Sequence, residues 1–278
     1  MPLRDILVHI DNAKPCQARL ELAVNLAQAH QAHLTGLSIP VRREIPTYIM
    51  AQIPSDALES LDEKDSLVSA ELETAFREKA EKSGLSFEWR LVKGDPVETL
   101  SLHARYSDLT VVGQYDGDAA ADDLPGDMPD RLILSAGRPV LVVPYAGRYP
   151  RVGERVMVAW DGSRSATRAV NDALPLLGEA KKVSVLAIDP QATPGRHGDI
   201  PGADICLHLA RHGIKAEAQH TPANDLEVGD MLLSRSADAG ADLIVMSAYG
   251  HARWRELVLG GVTRHMLEHM TAPVLMSH

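Results

Sequence analysis

The chain has 278 residues, 45% of them hydrophobic and 24% charged, with a net charge of −10. That length admits one large domain or two of about 140 residues, and the acid excess argues against nucleic acid as the main partner. No apolar run approaches the roughly 18–20 residues that would span a bilayer, and Cys16 and Cys206 form neither a metal nor a redox spacing. Met1–Asp5 leads straight into a strand-like run rather than a signal-peptide core, so the expectation is a reduced, cytoplasmic protein with no membrane partner.

In chain order, an apolar strand over 5–11 ends in Asp11 and is followed by a helical pattern from Ala18 to Ala29. A second strand-like run covers 34–40. Then comes a long connection, Arg42 to Leu85, with the apolar stretch 45–50 and a charged helical pattern from about Ala57 to Lys82. Two readings of it stay open: an amphipathic helix covering the sheet, or a lid or partner surface, since apolar loop residues need burial somewhere. Further strands are expected at 108–113 and, after proline, at 139–144.

The chain then repeats itself. Residues 155–161 match 5–11, again ending in an aspartate, Asp161, and a helical pattern from Ala166 to Leu177 follows. Residues 184–190 match 34–40, 242–247 match 108–113, and 273–278 match 139–144. A polar linker near 145–151 divides the chain into domains 1–147 and 151–278. Strands alternating with helices imply right-handed βαβ units and a parallel sheet. Five strands per half point to two tandem doubly wound α/β sheets, with ligands at the carboxyl ends of the strands, near the switch point.

At that place the halves diverge. In the second half the buried-type run Leu243–Met246 exits into a glycine-bearing loop that ends at Gly260-Gly261, where a new helical pattern begins. Bare glycines let backbone N–H groups approach an anion, and a helix start adds roughly half a positive charge. The loop carries His251, Arg253 and Arg255, with Arg264 beyond it. The matching first-half loop, 113–130, holds six aspartates and no Lys or Arg. A triphosphate there would meet like charges costing on the order of 1 kcal/mol or more per pair. Asp127 reads as an N-cap whose carboxylate takes the anion position, and Pro129 removes a donor. A divalent cation held by the clustered carboxylates is the one alternative. Residues 1–150 carry fifteen Lys and Arg against twenty-three Asp and Glu; residues 151–278 carry thirteen against fifteen.

Ser247, Gly250, Gly260 and Gly261 stand at the four positions of the nucleotide motif G-x2-G-x9-G-[ST], and the chain resembles the universal stress protein family, twice over. Ser247 and Gly261 depart from the motif. In the first half Gly113 and Gly126 keep it, while Asp116 and Asp127 depart, so domain 1–147 reads as a degenerate copy. The resemblance implies a Rossmann-like strand order 3-2-1-4-5 in each half, with 140–143 and 274–277 pairing across a pseudo-twofold. It also implies that the base and ribose lie against Ala159, Asp161, Ile188, Met246 and Ser247. The phosphates would lie against Gly250, His251, Arg253, Gly260, Gly261, Val262 and Thr263, the ligand being ATP or ADP, with or without Mg²⁺. Asp161 has a plainer alternative as a helix cap, and Trp160 one as a core residue.

No G-x-S-x-G elbow, P-loop or H-E-x-x-H is present. His208/His212 and His265/His269 have i, i+4 spacing but no evident third ligand. The expected function is a stress-response protein that binds adenine nucleotide in its second domain and is regulatory rather than catalytic, weak ATP hydrolysis being the most it would do. A nucleotide-free scaffold is the alternative, as is an ATP hydrolase. A protein partner of unknown identity and a homodimer beyond the internal domain pair complete these expectations.

Overall fold

The computed structural model describes residues 2–40, 55–117, 126–189, 200–222, 226–248 and 260–278, and the backbone alone for 55–62. The first half runs β1 (Asp5–Ile10), α1 (Cys16–His30), β2 (His33–Ser38), α2 (Ser55–Lys82), β3 (Phe87–Leu91), α3 (Pro96–Ala104), β4 (Leu109–Gly113), α4 (Met128–Ser135) and β5 (Val140–Val143). The second runs β6 (Arg155–Ala159), α5 (Arg164–Leu177), β7 (Lys182–Ile188), α6 (Ala203–Arg211), β8 (Ala216–Thr221), α7 (Val228–Asp238), β9 (Leu243–Ser247), α8 (Gly261–His269) and β10 (Val274–Ser277).

All ten strands join one sheet in the order β3-β2-β1-β4-β5-β10-β9-β6-β7-β8. Taken from either edge, each half is 3-2-1-4-5, as the resemblance implies. Strands within a half pair parallel, whereas β5 and β10 meet antiparallel, with Val142 opposite Val274 and Leu141 opposite Leu275. That junction seals two edges that would otherwise present unpaired backbone groups. The central strands β4, β5 and β10 are buried throughout, which is why they read as unbroken apolar runs. The outer strands β3 and β8 carry exposed Glu88 and Glu217 on mixed patterns, a means of blunting an edge.

Helices cover both faces. One core layer packs α1, Phe76 of α2, α5 and α6 against the sheet; the other packs α3, α4, α7 and α8 against the opposite face. Both layers run across the β5–β10 seam, since Leu141 and Leu275 belong to the first and Val142 and Val274 to the second. Among the described residues no helix is long and apolar enough to cross a membrane.

Local signals explain the boundaries. α1 and α5 each begin two residues before the apolar pattern suggests, after Pro15 and Ser163. Ser163 accepts from the N–H of Ala166, so the cap of α5 is Ser163 and not Asp161. Asp11 and Asp161 lie just past their strands rather than ending them. The repeated aspartates before β4 and β9 are structural: Asp108 accepts from the N–H groups of Arg4 and Asp5, Asp242 from those of Gly153, Glu154 and Arg155. Each ties the start of its half's first strand to the strand beside it.

The C-terminal part of α2 meets the sheet. Phe76 is fully buried, its ring 5.8 Å from that of Phe87 and 5.5 Å from that of Trp89, so this part covers the sheet. Nearer its start Leu67 is 64% exposed. The stretch 45–50 lies outside the described residues.

Candidate functional site

In the second half, β6 lies between β7 and β9, so their carboxyl ends converge. Ala159, Ile188 and Ser247 close those strands and are all half-buried. Met246 is buried behind them. Asp161 sits just beyond, exposed, its Oδ1 accepting from the N–H of Ser163 at 2.9 Å. Trp160 packs partly into the core. Downstream, Gly260 is the N-cap of α8 with extended backbone, and Gly261, Val262 and Thr263 form its first turn.

Among the described residues no side chain caps this helix start, and no acidic residue stands in its first turn. A Cβ built on Gly261 would meet nothing within 4 Å. The start of α8, the terminus whose dipole favours an anion, thus carries no acidic side chain of its own in the first turn. Thr263 is buried, 2% exposed. Gly250, His251 and Arg253 lie outside the described residues. The structure therefore brings Ala159, Asp161, Ile188, Met246 and Ser247 to one end of the sheet.

The first half presents a different surface at the corresponding place. His9, Ile39, Gly113 and Gln114 are all buried there. Between them lies the side chain of Arg19, which rises from α1 and is only 3% exposed. Its Nε donates to the carbonyl of His9 at 2.8 Å, and its Nη2 lies 2.7 Å from Oδ2 of Asp11. A Cβ on Gly113 would overlap Nη1 of Arg19. What remains is a cavity of about 20 Å³ bordered by Asp11, Tyr115, Met128 and Pro129, room for about one water. The Tyr115 ring stands 3.1 Å from where a Cβ of Gly126 would be, so the other retained glycine is covered too.

The expectation that Asp127 caps the first-half helix through its carboxylate is not met. Asp127 is the N-cap of α4, but its side chain makes no capping hydrogen bond, with φ −94° and ψ 9°. The cap geometry requires an extended N-cap residue, and Asp127 is not extended. The first half is filled instead by a cation from α1.

The charges follow from burial and pairing. Burial pushes the Asp11 carboxyl up, but the Arg19 guanidinium beside it outweighs this and holds it below the usual carboxylate range. Burial pushes the His9 imidazole down to about 4 despite the attraction of Asp11, so it is neutral near pH 7. Its Nδ1 is 3.5 Å from Oδ2 of Asp11, too long for a good hydrogen bond, and neither ring nitrogen has a hydrogen-bond partner. Burial also raises the Cys16 thiol next to this cluster.

Gln114, one residue past β4, joins this closed end to the other half. Its Nε2 donates to the carbonyls of Leu267 and Glu268 at 2.8 and 3.1 Å, and its Oε1 accepts from the N–H of Tyr145. The C-terminal carbonyls of α8 are thereby held from the first half, while the N-terminus of α8 faces the candidate site. A wider cleft of about 450 Å³ between α1 and α5 lies at the opposite, amino ends of the strands. Its charges pair internally, Lys181 with Glu154 at 2.8 Å and His30 near Glu179 at 3.4 Å. Among the described residues no group of three or more His, Cys, Asp or Glu is placed to hold a metal ion.

The sequence reading missed Arg19. Its signal was a charged residue on the buried face of an apolar helix, at a place where the repeat carries alanine.

Comparison with known proteins gives a consistent result. The model of the universal stress protein family matches residues 2–144 and again 153–278. A universal stress protein from Synechocystis sp. is 28% identical over 151 residues, 52% of this chain, and the chain spans about half of that relative's length, 49%. The crystal structure of a universal stress protein from Archaeoglobus fulgidus superposes with a TM-score of 0.71 at 17% identity, covering 98% of this chain and 97% of that one. The structure of a putative universal stress protein from Pseudomonas aeruginosa gives 0.60 at 16% identity, covering 99% and 93%. At such identities the two structures speak to the fold alone.

Proposed function

Since the chain belongs to the universal stress protein family along both halves, we propose that it is a regulatory stress protein whose second half binds an adenine nucleotide, ATP or ADP. The observation that carries this reading is the start of α8: a glycine N-cap, no acidic side chain in the first turn, and, among the described residues, open space around Gly261. A helix start of this kind suits a phosphate, and none of the described residues puts a carboxylate in its first turn. Base and ribose would lie across the half-buried ends of β6, β7 and β9, at Ala159, Ile188 and Ser247, with Asp161 within reach of hydroxyls. Gly250, His251, Arg253 and Val262 complete the proposed phosphate side. Mg²⁺ would arrive with the phosphates, because the described residues supply no carboxylate cluster for it.

Binding is the proposed role rather than turnover, the sequence carrying no G-x-S-x-G elbow, P-loop or H-E-x-x-H. Calorimetry and thermal melting with ATP·Mg²⁺ test the proposal. The expected outcome is saturable heat and a raised Tm; no heat and no stabilisation at millimolar ligand would leave the chain a nucleotide-free scaffold. If phosphate is released at all, Gly260→Asp should abolish its release and Gly126→Ala should not.

A further inference from the structure

We propose that Arg19 is the resident occupant of the first-half crevice: a guanidinium site filled by the chain itself, which leaves the second half as the candidate for a ligand. The claim that the second half takes nucleotide rests on the reading above; the claim that Arg19 fills the first half does not.

The repeat makes the assignment specific. β1 and β6 correspond in register, with His9 at the place of Ala159 and Asp11 at that of Asp161. The same offset carries Cys16, Leu20, Ala23 and Leu26 of α1 onto Ala166, Val170, Ala173 and Leu176 of α5, and each of these is buried in its own half. Arg19 then falls on Ala169, which is 1% exposed. The two helices present the same buried face, and one position on it holds either a guanidinium or a methyl group.

The strand opposite changes in step. Gly113 and Ser247 close β4 and β9 at equivalent register, β4 pairing with β1 as β9 pairs with β6. Gly113 has no Cβ, and Arg19 occupies the space where one would be. Ser247 has a Cβ, and the residue at the place of Arg19 is Ala169. The glycine that resembles a phosphate-binding residue in the first half is thus explained by a guanidinium packed on its backbone. The site is built for that cation: the Asp11 carboxylate at 2.7 Å, the His9 carbonyl at 2.8 Å, and a bare Cα beside Nη1.

Two exchanges in the full chain test this. Arg19→Ala leaves Asp11 buried without its cation, and Tm should fall on the order of 10 °C. Millimolar ethylguanidinium chloride supplies the missing atoms, so it should recover a large part of that fall and leave the wild type unmoved. Sodium chloride at equal ionic strength should recover none of it. Should Arg19→Ala fail to fold, Arg19→Lys keeps the charge but not the planar fork that reaches Asp11 and the His9 carbonyl together, and should melt clearly below wild type. An Arg19→Lys protein as stable as wild type, or an Arg19→Ala protein that ethylguanidinium and sodium chloride stabilise alike, overturns the proposal.

The converse is Ala169→Arg with Ser247→Gly, which rebuilds the first-half pair in the second. It should fold and lose the Tm shift that ATP·Mg²⁺ gives the wild type, whereas an undiminished shift overturns Arg19 as the determinant. If wild type itself shows no shift, the nucleotide reading fails, and the ethylguanidinium experiment still decides the role of Arg19.

Discussion

The two halves share strand order, helix faces and even the aspartate that ties each first strand at its amino end, yet their crevices differ in kind. In the first, the carboxyl end of the sheet is closed by an ion pair whose members are 3% and 13% exposed. In the second, the strand ends are half-buried and the helix start beyond them has a glycine N-cap and no acidic residue in its first turn. A fold's switch point is therefore only a place where a site can form. Three or four side chains on that frame decide whether it becomes a ligand site or more core.

The comparison is broken most directly with acid. His9 is neutral in the fold, with its pKa near 4, and titrates near 6.5 when unfolded. Between these values only the unfolded chain takes up the proton, so stability falls as pH drops from 6.5 toward 4, by roughly 3 kcal/mol in total, and this loss levels off below 4. The depressed Asp11 carboxyl adds a further loss at still lower pH, as protonation releases Arg19. Denaturant unfolding at pH 7.5, 5.5 and 4.5 measures the slope, and His9→Leu should flatten it over the upper part of that range. An unchanged slope would place the acid sensitivity outside the first-half crevice.

A smaller effect sharpens the same contrast. Gly113→Ser sets a Cβ against Nη1 of Arg19, which cannot swing away without leaving Asp11 or the His9 carbonyl. Its expected cost is about 2 kcal/mol, within the range for overpacked interiors. The reverse exchange, Ser247→Gly, makes no clash and should cost about 0.5–1 kcal/mol through the freedom of the unfolded chain. Equal costs in thermal unfolding would mean that the two positions are not the distinct environments described.

The sequence alone was enough to reach the architecture because the repeat doubles every signal. Buried strands such as Leu109–Gly113 and Leu243–Ser247 read as apolar runs twice, and the pairing of β5 with β10 followed from the family resemblance. The inequality of the halves was legible too, but its cause was not. Aspartates along 113–130 are conspicuous in sequence, whereas Arg19 is one residue in a helical pattern, and its effect depends on Gly113, ninety-four positions away. Closure of a cleft by a side chain from another element is a tertiary event that no local period records. Gln114 is a similar case: its bonds to Leu267 and Glu268 span about half the chain.

The most discriminating small change is Gly261→Ser. It gives the second half the hydroxyl that the family motif has at this position and this chain lacks. The added Cβ would stand in open space, and the first turn of a helix tolerates serine. Stability without ligand should rise by at most about 1 kcal/mol, because glycine has more conformations to lose. One added hydrogen bond to phosphate is worth about 0.5–1.5 kcal/mol net, so calorimetry should show ATP·Mg²⁺ bound roughly 2- to 10-fold more tightly. Asp127→Ser makes the matching change at the start of α4, and there no binding should appear, because Arg19 still fills the crevice behind it. A gain from Asp127→Ser with none from Gly261→Ser would reverse the roles of the two halves and place the ligand over the residues that the structure shows closed.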